Sequence, residues 1–291
     1  MDVREKPVGP PLLILFMRAI YLLIFITILL PILSFAQGNL LITPMRVVFE
    51  GQKKIQELNL ANTGHDTARY LISLIEIRMN SNGTFEKITE PDSGQLFASK
   101  FLRFFPKSVT LAPGEAQLVK VQLTKTGQLQ PGEYRSHIYF RAVPDTRVQG
   151  EPIRIKDSSG ISVSLTPVFG ISIPVIIRTG PPAVKVSLTD ISIDTAKNAG
   201  PRLNMVLRRS GNHSVYGDIA IDHVSERGKV TTVGNVRGLA VYTPNEFRQF
   251  HMALDKKPGI NYHHGKLRIT YSTPSQDAVP DPLAQAEIQL H

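Results

Sequence analysis

A chain of 291 residues with a hydrophobic fraction of 42% and a formal charge of +9 has enough apolar material to bury one or two cores. Its 21 Gly and 21 Pro are scattered as turn punctuation, which excludes a low-complexity or collagen-like chain. Cysteine is absent, so disulfide and thiolate chemistry are excluded, and the basic residues are dispersed among apolar runs, which argues against a nucleic-acid footprint.

Residues 11–36 form an apolar run whose only charge is Arg18. Read from Met17, the run has a short basic start, an apolar stretch over 19–33 and Ser34-Phe35-Ala36 as a small-x-small cleavage triplet. Residues 1–36 are therefore expected to be a signal peptide, with Met17 as an alternative start, and the rest of the chain to be exported. An uncleaved membrane anchor is the competing reading, because the run is long enough to span a bilayer.

After the export segment, short apolar runs recur between turn signals without sustained helical periodicity, which is an all-β pattern. Strands are expected over 40–49, 54–61, 68–78, 84–88, 101–105, 108–111, 117–123, 134–143 and 161–177. Asn82-Gly83, Pro113-Gly114 and Pro131-Gly132 supply reversals between them. In the last of these strands Ile161, Val163 and Leu165 alternate with Ser162, Ser164 and Thr166, the period of a half-buried strand. It follows a long loop, so it is a candidate for covering another protein's core as well as its own.

Thr179-Gly180-Pro181-Pro182 then interrupts the pattern, since consecutive prolines cannot sit in a central strand. Residues 179–182 are expected to link one domain at 37–178 to a second at 183–291. The second shows further runs over 184–193, 202–208, 215–224, 230–233, 247–254, 266–271 and 284–290. About seven short strands in such a length match an immunoglobulin-like sandwich. The fold class is thus all-β, with two immunoglobulin-like β-sandwich domains in tandem.

Within the first run, counting by twos puts Arg46 on one face with Leu40, Ile42 and Val48, so a cation interrupts an apolar side. Taken alone, it reads as an edge-strand arginine whose stem covers apolar surface while its head stays wet.

Several segments together resemble the PapD-like periplasmic pilus-assembly chaperones of the chaperone–usher type. They are Ile42-Thr43-Pro44-Met45-Arg46-Val47-Val48-Phe49-Glu50-Gly51, Leu58-Asn59-Leu60-Ala61-Asn62-Thr63-Gly64 and Phe105-Pro106-Lys107-Ser108. Leu111-Ala112-Pro113-Gly114-Glu115 and the run Tyr134-Arg135-Ser136-His137-Ile138-Tyr139-Phe140-Arg141-Ala142-Val143-Pro144 complete the series, which spans residues 40–178. The second domain resembles the family only loosely, at Asn212-His213-Ser214-Val215-Tyr216.

The resemblance implies a boomerang-shaped pair of domains that acts in the periplasm on pilus or fimbrial subunits and delivers them to an outer-membrane usher. Such a subunit is a sandwich missing its last strand, and the chaperone lends one, pairing the exposed backbone and filling the groove with alternate side chains. The lent residues would be Ile161, Val163, Leu165 and Phe169. The resemblance also assigns Arg46 to the cleft between the domains, as the anchor for the subunit's terminal carboxylate. That anchor sets the register of the added strand, since a slip of one residue reverses every side chain.

The family's donor strand carries a lysine that joins this arginine, and counting back from Ile176-Ile177-Arg178 places Ser172 at that position. The second cation is missing there, and the Ser172 hydroxyl is the candidate in its place. Arg178 lies six residues further on, about 20 Å along an extended strand, too far to substitute. Self-association through the lending edge is a further expectation. A structural or adhesion component of the envelope with the same double sandwich is the alternative function, motivated by the absent lysine.

Enzyme signals are poor: there is no HExxH, no GxSxG and no phosphate-cradling GxxxxGK[ST]. His263 and His264 are adjacent, so on a strand they would face opposite ways and could not chelate one ion together. No catalytic residue, metal or cofactor is expected.

Overall fold

The computed structural model describes residues 40–144, 153–156, 162–165, 168–195, 200–274 and 281–290. The expected signal peptide and Ile161 lie outside the described residues.

The first sandwich faces two sheets. One runs β1 (Leu40–Thr43), β3 (Ile55–Asn62), β8 (Ala116–Leu123) and β6 (Leu102–Phe105). The other runs β2 (Val47–Phe49), β12 (Gly170–Thr179), β9 (Gly132–Val143), β4 (Ala68–Met79) and β5 (Phe85–Ile88), with β7 (Ser108–Leu111) also paired to β4. Alternate residues from both meet in a core that includes Phe49, Leu58, Leu60, Ile138 and Phe140, so period-two patterning becomes two packed inner faces.

The second sandwich sets β13 (Val184–Asp194), β14 (Arg202–Gly211) and β17 (Phe247–Ala253) against β16 (Val230–Val241), β15 (Val215–Val224), β18 (Lys266–Ser272) and β19 (Pro282–Gln289). Leu203, Leu207, Ile219, Ile269 and Tyr271 are among its core residues, and the Tyr271 hydroxyl is satisfied by donating to the Leu239 carbonyl at 2.8 Å.

Motif residues explain the turns. Asn62 ends β3 and donates from Nδ2 to the carbonyls of Asp66 (2.8 Å) and Leu111 (3.0 Å), while its Oδ1 accepts the Gly64 N–H at 2.9 Å. Glu115 closes the Pro113-Gly114 reversal by accepting the Ala112 N–H at 2.8 Å. Gly211 must be glycine, because its φ is +103° and a Cβ there would collide with the Ala183 carbonyl.

Four expectations are revised. The run 40–49 is two strands in two sheets: β1 pairs antiparallel with β3, and after the cis Thr43–Pro44 bond β2 pairs parallel with β12. Proline has no N–H for the ladder, so the chain leaves one sheet there and joins the other. The count by twos therefore fails across the break. Leu40 and Ile42 enter the first core together with Val47 and Phe49, whereas Val48 packs into a separate cluster with Met79, Ile176, Ala240 and Tyr242, between the sandwiches.

The run 161–177 is likewise divided, into β11 (Ser162–Leu165) and β12. The connection over 144–160, expected to be a loop, contains β10 (Ile153–Lys156), which pairs antiparallel with β11 as a two-stranded sheet of its own. Finally, the short run at 230–233 extends to Val241 through Gly234 and Gly238, opposite register shifts in β15 that accommodate the weak strand formers.

Candidate functional site

β9 builds the site because both of its faces are covered. Tyr134, Ile138 and Phe140 enter the first core, and the alternate residues Glu133, Arg135 and His137 are only 4%, 3% and 4% exposed although all three are polar. The second sandwich lies over that outer face. Asn245 Nδ2 donates to the Met79 carbonyl at 2.6 Å and the Gln249 N–H donates to the Ser81 carbonyl at 2.7 Å, tying the two halves directly.

Glu133 is fully satisfied. Its Oε2 accepts Arg178 Nε at 3.0 Å and the Ser214 N–H at 3.0 Å, and its Oε1 accepts the Thr243 hydroxyl at 3.2 Å. Arg178 is its cross-strand partner, donates a second bond to the Ser214 carbonyl at 2.9 Å, and lies 3.9 Å from Glu50. A buried carboxylate with three donors from both sandwiches is a fixed joint between them. Arg178 is thereby committed to the joint.

One and two steps along β9 the arrangement changes. Arg135 stacks its guanidinium over the Tyr242 ring, 4.5 Å from the centroid, and Arg46 approaches the same ring at 6.0 Å and the Tyr216 ring at 4.5 Å. Such cation–ring contacts suit desolvated guanidinium groups. Yet Arg46 Nη1 and Arg135 Nε and Nη1 are buried and make no hydrogen bond. Burial lowers the basicity of both groups; for Arg135 the neighbouring Arg46 charge pushes the same way, against Tyr242 and Glu133. Guanidinium groups remain cations regardless. Two buried cations with unspent donors, flanking one phenol, are complementary to an anion such as a carboxylate.

His137 lies next along the face, edge-on to Phe85 with centroids 6.2 Å apart. Burial, with the Arg135 charge second, pulls its pKa down to about 3, so the ring is neutral at ordinary pH and adds no third charge.

The sequence-derived site residues separate into groups. Arg46 reaches the interdomain cluster but meets Arg135 there. Val47 is level with Val175, so continuing the ladder one step places Arg46 beside Pro174, and Ser172 lies two residues beyond, exposed, level with Tyr139. Val163 and Leu165 belong to β11, and Phe169, immediately before β12, is 62% exposed, with its carbonyl accepting the Ala142 N–H at 2.9 Å. Between Phe169 and Arg46 runs a bare strand edge. β9 pairs with β12 from Gly170 to Thr179, but β2 covers only Val175 to Ile177, so 170–174 has one edge unpaired among the described residues.

Arg135, Tyr242 and Tyr216 were missed from sequence. The available signal was a strand with Glu133, Arg135 and His137 at period two opposite an apolar face, which reads as an ordinary wet side until a second sandwich is placed upon it. Among the described residues no group of three His, Cys, Asp or Glu could hold a metal ion.

No family model matches the chain, and no curated protein matches it significantly. Among solved structures it is similar to the CupB2 chaperone of Pseudomonas aeruginosa, with 10% identity and a TM-score of 0.44 over 86% of this chain and 100% of that one. It is also similar to a chain of the CsuC–CsuE chaperone–tip adhesion subunit pre-assembly complex of Acinetobacter baumannii, with 13% identity and a TM-score of 0.43 over 87% and 98%. The YadV chaperone gives 12% identity and a TM-score of 0.42 over 87% and 100%. At these scores the likenesses add nothing to the fold, which stands on strand order, register and burial. By those, the chain is a tandem β-sandwich protein with a charged cleft between its halves.

Proposed function

We propose that this protein is an exported, periplasmic chaperone for pilus or fimbrial subunits, which lends a strand to an unfinished sandwich and passes the subunit to an outer-membrane usher. The observation that carries this reading is the bare edge of β12 at 170–174, which ends beside Arg46, with Arg135 two residues further along opposite Ile176, both cations with unsatisfied donors. An extended client segment added to that edge pairs its backbone with β12 and brings its terminal carboxylate to the guanidinium pair. Arg135 then supplies the second cation that the lending strand lacks, and Ser172, on the same strand face, lines the approach.

Apolar side chains complete the fit. Phe169 and Ile171 are 62% and 37% exposed on this edge, and Val163 and Leu165 continue the same parity upstream, after Ile161. Burying each contributes roughly 1.5–3 kcal/mol before ordering costs, enough in sum to retain a subunit without nucleotide. The same edge offers a second copy of the chain a place to pair when no subunit is bound.

Co-expression with a candidate pilus subunit tests the reading. Leu165→Glu is expected to abolish recovery of the complex. Arg46→Ala should weaken it roughly 30-fold, the equivalent of about 2 kcal/mol for a hydrogen bond to a charged group. Recovery untouched by both substitutions would leave a structural or adhesive component of the envelope as the better account.

A further inference from the structure

A cleft of about 320 Å³ opens at one end of the second sandwich, and none of its lining residues belongs to the first sandwich or to the cluster around Tyr242. Its walls are the turn between β15 and β16, with His223, Lys229 and Thr231, and residues 257–260 of the connection from β17 to β18. Ser225 closes the turn twice: its N–H donates to the Lys229 carbonyl at 3.0 Å, and its hydroxyl accepts the Lys229 N–H at 3.1 Å. That fixes where the Lys229 side chain departs. From the other wall, the Lys257 ammonium donates to the Thr232 carbonyl at 2.5 Å and lies 3.5 Å from Asp255, which leaves it further donors to spend. Arg227 and Lys256 add charge to the same turn and loop, whose two carboxylates are already engaged, Asp255 with Lys257 and Glu226 at 3.5 Å from His264 Nδ1. The end of the sandwich is therefore basic.

His223 forms part of the cleft wall and is only 3% exposed. Its Nε2 lies 3.2 Å from the Asn261 carbonyl and 3.0 Å from the His264 carbonyl. Two acceptors require a donor, so Nε2 carries the proton, and in the neutral ring Nδ1 is left as a bare acceptor. That Nδ1 is buried and has no hydrogen-bond partner. An acceptor left unpaired in the interior is costly and calls for a proton donor. We propose that the cleft binds a hydroxyl-bearing phosphate, the hydroxyl donating to His223 Nδ1 while the charged oxygens meet Lys229 and Lys257. Hydrogen phosphate carries that hydroxyl itself, and a glycerol phosphodiester headgroup carries it on the glycerol. The volume is about ten times the share of liquid that one water occupies, about 30 Å³, so either fits. Sulfate matches phosphate in shape and charge but has no proton to give at neutral pH, and His223 should reject it. The site is separate from strand lending and does not depend on the chaperone reading.

The experiment follows the His223 ring and the Thr231 and Gly259 amides by NMR in the whole protein, at neutral pH and constant ionic strength. A local readout is needed because phosphate also suits the arginines between the sandwiches. Inorganic phosphate is expected to shift these signals saturably, with sulfate about tenfold weaker or more. Lys229→Glu should weaken phosphate about tenfold, and His223→Gln should bring phosphate and sulfate within about twofold of one another. Thermal melting of each variant controls for folding. Sedimentation with phosphatidylglycerol vesicles, against phosphatidylcholine vesicles, separates the two sources of phosphate. Binding that is lost with Lys229→Glu assigns the headgroup, and a response to inorganic phosphate alone assigns the free ion. Equal affinity of the unaltered protein for phosphate and sulfate would overturn the proposal, as would no response to either phosphate source. Leu165→Glu should leave the phosphate response unchanged, so failure of this site and failure of subunit capture are told apart.

Discussion

Two clusters of buried charge sit side by side along β9, and they are built on opposite principles. Around Glu133 both carboxylate oxygens meet donors, which together come from the two sandwiches, and Arg178 spends its own donors on Glu133 and the Ser214 carbonyl. Around Tyr242 two arginines face one ring and leave Arg46 Nη1 and Arg135 Nε and Nη1 without hydrogen bonds. On the proposed function, the contrast separates a joint from a receptor. A satisfied buried pair fixes geometry at little net gain, while unsatisfied buried cations cost stability and are retained where a ligand repays them.

The strongest way to break this contrast is to damage the joint. Glu133→Ala strands Arg178 without its carboxylate and frees the Ser214 N–H and the Thr243 hydroxyl. It should cost about 3–5 kcal/mol in denaturant unfolding. A loss well below 1 kcal/mol would mean that the sandwiches do not depend on the joint.

Acid comes next in size. His137 titrates at about 3 in the folded protein against 6.5 for the free side chain. The unfolded chain therefore binds an extra proton between those values, and stability falls as pH is lowered through that window. A few kcal/mol should be lost by pH 3 through this group, and His137→Leu should flatten that part of the profile. An unchanged slope in the variant would place the acid sensitivity elsewhere.

The receptor side predicts a split response. Arg135→Met removes a buried cation with unspent donors and keeps much of the stem, so stability should stay level or rise by about 1 kcal/mol. Subunit capture should fall roughly 30-fold at the same time. If Arg135→Met unfolds the protein as Glu133→Ala does, the two clusters are alike and the distinction fails. The smallest effect is expected at the exposed Lys120–Glu57 pair, 3.6 Å apart. There Lys120→Ala should change stability by less than about 0.5 kcal/mol.

Much of the strand pattern was legible because period two records only which side of a strand is wet. β3, β8, β13 and β15 lie close to their alternating runs for that reason, and the Asn82-Gly83 and Pro113-Gly114 reversals follow from backbone chemistry local to a few residues. Arg46 stood out as a cation in an apolar run, and the family resemblance placed it in a cleft between domains. Its assumed companion Ser172 came from counting along one strand, a procedure blind to the neighbouring strand β9.

What the amino-acid order alone determined, then, was the class of structure, its turns and the positions able to face a core, since each depends on residues near one another in the chain. Tertiary structure decided which sheet each strand joined, where Pro44 sends the first run across the sandwich, and that 153–156 pairs with 162–165. It also decided that Arg135 lies beneath Tyr242 beside Arg46. Those facts depend on strand pairing and on one sandwich covering the face of another, contacts between residues 89 to 196 positions apart in the case of Arg46, Arg135 and Tyr242, which no local period encodes.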